Sequence, residues 1–134
     1  MQYEKIDHVG VAVHSLDSVK KMYKDVLGLT PVFEEEVPEQ KVKVVGFKVG
    51  QSNIEYLEPT SPDSPIAKFL EKRGEGMHHL CVGVADIHAV LANMKANGIQ
   101  LIDEQPKTGA EGKQIAFVHP KSMNGILLEL SQEK

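Results

Sequence analysis

The sequence predicts an α+β protein made of two copies of one module, a strand followed by a helix and three strands. Three observations carry that reading. Asp7-His8-Val9-Gly10-Val11-Ala12-Val13 returns as His78-His79-Leu80-Cys81-Val82-Gly83-Val84, with His8 and His79 at the same place in each copy. A stripe of apolar residues at helical spacing follows both copies. Each half then closes on a short apolar strand interrupted by one glutamate, Glu55 in the first and Glu129 in the second.

The opening strand of each module has two distinct faces. A period of two places His8, Gly10 and Ala12 on one side and Val9, Val11 and Val13 on the other, and His79, Cys81 and Gly83 match the first set. A histidine among small side chains leaves room for a ligand, while the branched face can pack on a helix. Ser15 or Asp17 can cap that helix, whose apolar positions are Val19, Met22, Tyr23 and Val26, and Gly28 suits left-handed backbone just past its end. Residues 30–35 and 41–49 read as strands around the acidic loop 36–40, and 54–59 is a short strand stopped by Pro59.

A connector spans residues 61–76, in which Ser64-Pro65 opens a helix with the stripe Ile66, Phe69 and Leu70. The second module repeats the order: strand 77–84, helix 86–97 with Ile87, Val90, Leu91 and Met94 inward, Gly98 as its stop, then strands 99–103, 114–118 and 126–130. The tail from Ser131 is expected to fray. On this reading residues 1–134 are one domain, composed of module 1–60, the helical connector 61–76 and module 77–134.

Composition excludes several function classes. A length of 134 residues suits one compact domain. No apolar run approaches the length needed to cross a bilayer, and Met-Gln-Tyr-Glu-Lys lacks an apolar signal region, so a cytoplasmic protein with no membrane partner is expected. Cys81 is the one cysteine. It allows no internal disulfide, and its apolar strand makes it a buried structural thiol. A net charge of -4 argues against a nucleic-acid partner.

His8, Glu55, His79 and Glu129 form the candidate site. If the modules pair about a pseudo-twofold, each contributes one imidazole and one carboxylate to a shared centre. That donor set suits a divalent ion such as zinc, cobalt, nickel, manganese or iron(II), and four protein ligands leave positions open for water or substrate. Unpaired carboxylates buried in apolar strands would be costly, which favours a cation between them. The other histidines read differently: His78 points away from His79, His14 and His88 sit at element ends, and His119 precedes a proline in a turn. Lys41, Lys43 and Lys48 read as solvated strand charges.

Five stretches carry a family resemblance: residues 6–13, Pro38-Glu39-Gln40, residues 74–80, His119-Pro120-Lys121-Ser122 and Gly125-Ile126-Leu127-Leu128-Glu129-Leu130. They are similar to the methylmalonyl-CoA epimerases, a family of the vicinal oxygen chelate superfamily that also holds glyoxalase I. The resemblance implies paired βαβββ modules forming a cupped mixed sheet around a metal, and a homodimer. It implies His8, Glu55, His79 and Glu129 as ligands of a divalent metal ion (Co, Zn, Ni or Mn), with Glu55 where some members have glutamine. The implied reaction interconverts (2R)- and (2S)-methylmalonyl-CoA, an acyl-CoA substrate, through a metal-stabilised enediolate. Glu129 is then also the catalytic base, one oxygen on the ion and the other facing the C2 proton.

Some epimerases carry a glutamate, proposed as a base, where this chain has Val44. The competing readings are a glyoxalase I-like isomerase, against which stands the absence of an Asp-Pro-Asp-Gly turn before the last strand, and a non-catalytic small-molecule-binding protein of the same fold. All four candidate ligands are present, which disfavours the second.

Overall fold

The computed structural model describes residues 2–133, and their contacts divide the chain into two compact units. One unit is Val9–His78. The other runs from His79 onward and takes in the opening segment through His8. Strand β1 (Tyr3–Ala12) therefore starts in one unit and finishes in the other.

In the Val9–His78 unit, Ser15 caps helix α1 (Leu16–Met22) by accepting from the Ser18 amide. The helix widens into a π-helical turn over Tyr23–Leu27, and Gly28 closes it at φ 67°, in the left-handed region that glycine enters without a Cβ clash. Strands β2 (Phe33–Val37), β3 (Val42–Val49) and β4 (Ser52–Pro59) follow, in the spatial order β2-β3-β4-β1. Val13, Leu16, Val19, Tyr23, Val45 and Phe47 form the core, with Val11 packed against it, so the branched face of β1 meets the helix as its pattern predicts. Tyr23 stacks on Phe47 at 3.9 Å between ring centres, and its hydroxyl lies 2.7 Å from that of Tyr56.

Strand β2 begins and ends later than the sequence suggested. Pro31 has no amide to give to a ladder, and pairing starts where the Val32 amide donates to the Gly46 carbonyl. The strand continues to Val37, which leaves only a short turn over Pro38–Gln40. Helix α2 (Pro65–Arg73) opens as predicted, with buried Ser64 accepting from the Ile66 amide.

The second unit contains β5 (Gly76–Val84) from His79 on, helix α3 (Ile87–Ala96), and strands β6 (Lys107–Thr108), β7 (Gln114–Val118) and β8 (Leu128–Gln132). Their order is β1-β5-β8-β7-β6, with β5 and β8 parallel and β7 antiparallel to β8. Val84, Ile87, Val90, Leu91, Ala116, Val118, Leu128 and Leu130 make the core, joined by Val82 and Met94. The branched face of β5 therefore packs on its helix, matching the behaviour of β1.

Three expectations in this unit need correction. Residues 99–103 do not form a strand, because the amides of Ile102 and Asp103 both donate to the Phe117 carbonyl. The Asp103 carboxylate also accepts from the Phe117 amide, replacing a backbone ladder with a side chain. Only Leu101 bridges to Val118, and the pairing with β7 is taken up by β6. Secondly, the last strand starts at Leu128, since Asn124 and Gly125 adopt left-handed backbone and hold the chain in a turn through Ile126. Thirdly, the tail is ordered through Gln132: Ser131 is buried between Gly83 and Ile115, and the Gln132 side chain accepts from the Ile87 amide at the start of α3. Lys134 lies outside the described residues.

A three-donor candidate metal centre

Strands β1, β5 and β8 are consecutive in one sheet and present His8, His79 and Glu129. Cys81 pairs with Glu129 in parallel register, so His79, two residues before Cys81, shares a face with the carboxylate. All three side chains are buried, at 7%, 8% and 5% exposure. His8 Nε2 lies 3.0 Å from His79 Nε2, and each of these nitrogens lies 3.0 Å from Glu129 Oε1. The three donor atoms thus occupy the corners of an equilateral triangle. The carboxylate oxygen is close to both rings yet has no properly aligned hydrogen-bond donor. Two ring nitrogens that share a hydrogen bond and a buried carboxylate oxygen without an aligned donor converge on one point, and a bound cation would compensate all three.

The spacing also bears on coordination. Two ligands about 2.1 Å from one ion and at right angles to each other are about 3.0 Å apart, whereas tetrahedral ligands at that length are about 3.4 Å apart. The triangle therefore fits one face of a six-coordinate ion, and two imidazoles with one carboxylate on a face leave the opposite positions open.

Glu55, the fourth residue of the predicted set, is 5% exposed in the middle of β4, where it pairs across the ladder with Gly46 in the Val9–His78 unit. Among the remaining histidines, His14 and His88 are exposed, and His119 accepts from the Lys121 amide within its turn. Lys41, Lys43 and Lys48 are exposed, and Lys41 pairs with Asp63.

Two residues near the triangle were not singled out from the sequence. Asp7 is buried and lies 2.8 Å from the second ring nitrogen of His8, and Lys113 reaches Asp7 at 3.3 Å. The available signal for Asp7 was its charge inside an apolar strand. Lys113 comes from 106 residues away and left no local signal. Cys81 lies near Asp7 and His8, but burial and the Glu129 charge push its thiol up to about 12, so it stays protonated.

Charge within the cluster is strongly coupled. Burial opposes protonation of His8, but its hydrogen bond to Asp7 and the nearby Cys81 thiol and Glu129 carboxylate outweigh that and raise the ring well above its ordinary 6.5. Burial likewise opposes ionisation of Glu129, and the close approach and charge of His79 and His8 outweigh it, holding the carboxyl well below 4.5. The His8 contribution to stability is complete below pH 6.5 and is lost as pH rises toward its folded value. The Glu129 contribution is complete above pH 4.5 and is lost as pH falls. Metal-free protein is therefore expected to be most stable between pH 4.5 and 6.5. Thermal unfolding in chelator-containing buffers checks this, and a midpoint that keeps climbing above pH 6.5 contradicts it. Divalent metal should flatten the alkaline side, because the ion takes the place of the proton.

The model of the glyoxalase/bleomycin resistance protein/dioxygenase superfamily matches residues 7–117. Human mitochondrial methylmalonyl-CoA epimerase is 40% identical over 129 residues, covering 96% of this chain and 73% of that protein. The chain belongs to the methylmalonyl-CoA epimerase family of this superfamily. Its α+β fold is the one this family shares. The ethylmalonyl-CoA/methylmalonyl-CoA epimerase of Cereibacter sphaeroides is 38% identical, covering 96% of this chain and 97% of that one. Among solved structures, Streptomyces coelicolor methylmalonyl-CoA epimerase in complex with 2-nitronate-propionyl-CoA superposes with a TM-score of 0.94 at 36% identity, covering 98% of this chain and 95% of its own.

Proposed function

We propose that this chain interconverts the 2R and 2S forms of methylmalonyl-CoA at the centre formed by His8, His79 and Glu129. The observation that carries this reading is the 3.0 Å triangle of buried donors, found in a chain 40% identical to an epimerase of that name. The bound 2-nitronate-propionyl-CoA of the Streptomyces relative supports an acyl-CoA as the substrate class.

The residues fit a divalent ion of the cobalt, zinc, nickel or manganese kind, held by the two imidazoles and the carboxylate. Bound there, such an ion would act as a Lewis acid toward a carbonyl oxygen and so favour loss of a proton from the neighbouring carbon. The sequence repeat assigns Glu55 as a further ligand, and its burial supports that assignment. Glu129 is the chain's own proton acceptor, with Oε1 at the triangle and its second oxygen left for the C2 proton. The histidines keep it ionised at neutral pH, and the burial of all three side chains keeps bulk water from the charge that develops at C2. Val44 carries no ionisable group, so the returning proton comes from another residue or from water.

Solvent exchange tests the reaction. In deuterated water, methylmalonyl-CoA recovered from metal-loaded enzyme should carry deuterium at C2, and a chelator should stop the exchange. Absence of exchange together with brisk isomerisation of the methylglyoxal hemithioacetal would identify glyoxalase chemistry in its place.

A further inference from the structure

Asp7 is a buried carboxylate that the proposed proton transfer does not use. It is 5% exposed and precedes His8 on β1. Neighbours on a strand ordinarily face opposite ways, yet Asp7 Oδ2 accepts a hydrogen bond from His8 Nδ1 at 2.8 Å. Its other oxygen accepts from Lys113 Nζ at 3.3 Å, with Lys5 Nζ farther off at 4.0 Å. Lys113 itself stands just before β7, its side chain 17% exposed, with Glu111 at 3.8 Å and Glu133 at 3.9 Å. The result is a line of charge from Lys113 through Asp7 to the far side of the His8 ring.

An ionised carboxylate only accepts, so the hydrogen of a neutral His8 ring belongs on Nδ1 and the lone pair on Nε2. Nε2 is the atom that stands 3.0 Å from both His79 and Glu129. Cys81 does not impose that choice, because a thiol is both a weak donor and a weak acceptor. Lys113 matters because a buried carboxylate without a compensating cation would be costly and would tend to take up a proton. We infer that Asp7, anchored by Lys113, is a positioning residue that holds His8 in the Nδ1–H form and so presents Nε2 as the metal ligand. This rests on the reading that the His8, His79 and Glu129 triangle binds a divalent ion.

Zinc affinity, measured against a competing chelator, tests it without reference to turnover. Wild-type protein is titrated first, and failure to bind zinc would remove the metal reading itself. Given wild-type binding, Asp7→Ala should bind about 10–100-fold more weakly, the usual cost of losing an outer partner of a metal-bound histidine. Asp7→Asn should lose less, since its amide oxygen can still accept from Nδ1, and Lys113→Met should fall between wild type and Asp7→Ala. Affinity of folded Asp7→Ala equal to wild type would overturn the inference. Should that variant fail to fold, nitrogen-15 histidine spectra of zinc-loaded wild type decide the matter: His8 with its hydrogen on Nδ1 supports the assignment, and a hydrogen on Nε2 overturns it.

Discussion

Replacing His79 by alanine is expected to take the metal content of the purified protein from roughly one divalent ion per chain to near zero, and C2 proton exchange with it. His79 Nε2 is one corner of a triangle whose other corners are 3.0 Å away, and its removal leaves one nitrogen and one oxygen there, which even with Glu55 as a further donor are too few to hold the ion tightly against competing water. The ring also makes edge contact with Phe117 at 5.7 Å, so the variant should lose some thermal stability while staying folded. Elemental analysis beside a circular dichroism melt separates the two effects. Unchanged metal in a folded His79→Ala protein would refute the ligand assignment. Glu55→Ala is the companion measurement, and unchanged affinity there would confine the ligand set to the triangle.

Glu129→Gln is expected to lower turnover by about a hundredfold or more while part of the metal affinity survives. Glutamine keeps a neutral oxygen donor in the same place but cannot take a proton from C2. It also removes the negative charge that the two imidazoles face, which accounts for the weaker binding. Saturating metal separates these contributions: exchange that remains a hundredfold down at full occupancy identifies loss of the base. Near-full exchange at normal occupancy would mean that Glu129 is a ligand only, and that another group takes the proton.

The repeat of a histidine-bearing strand and a glutamate-bearing strand was enough to nominate His8, Glu55, His79 and Glu129 without coordinates. Two periodicities made that possible. Period two separates the branched face of β1 and β5 from the small, histidine-bearing face, and helical spacing places Leu16, Val19, Ile87 and Val90 against the branched side. Caps at Ser15 and Ser64 and the left-handed turn at Gly28 were legible for the same reason, since each depends on residues within one turn of the chain.

What the sequence could not determine depends on distant partners. Asp103 reads as the end of a strand, but its carboxylate finds the Phe117 amide and breaks the ladder. Ser131 reads as a tail, yet neighbours on two strands bury it. The same holds at the site, where adjacency of Asp7 and His8 in sequence says only that their side chains should diverge. Their 2.8 Å contact, and the Lys113 ammonium that holds Asp7 from 106 residues away, exist because the tertiary fold brings the approach to β7 onto the middle of β1. Residue type and spacing therefore nominated the donors by themselves. Their equal 3.0 Å separation, and with it the case for one ion, was decided by the packing of β1, β5 and β8, because local propensity carries no information about where three strands converge.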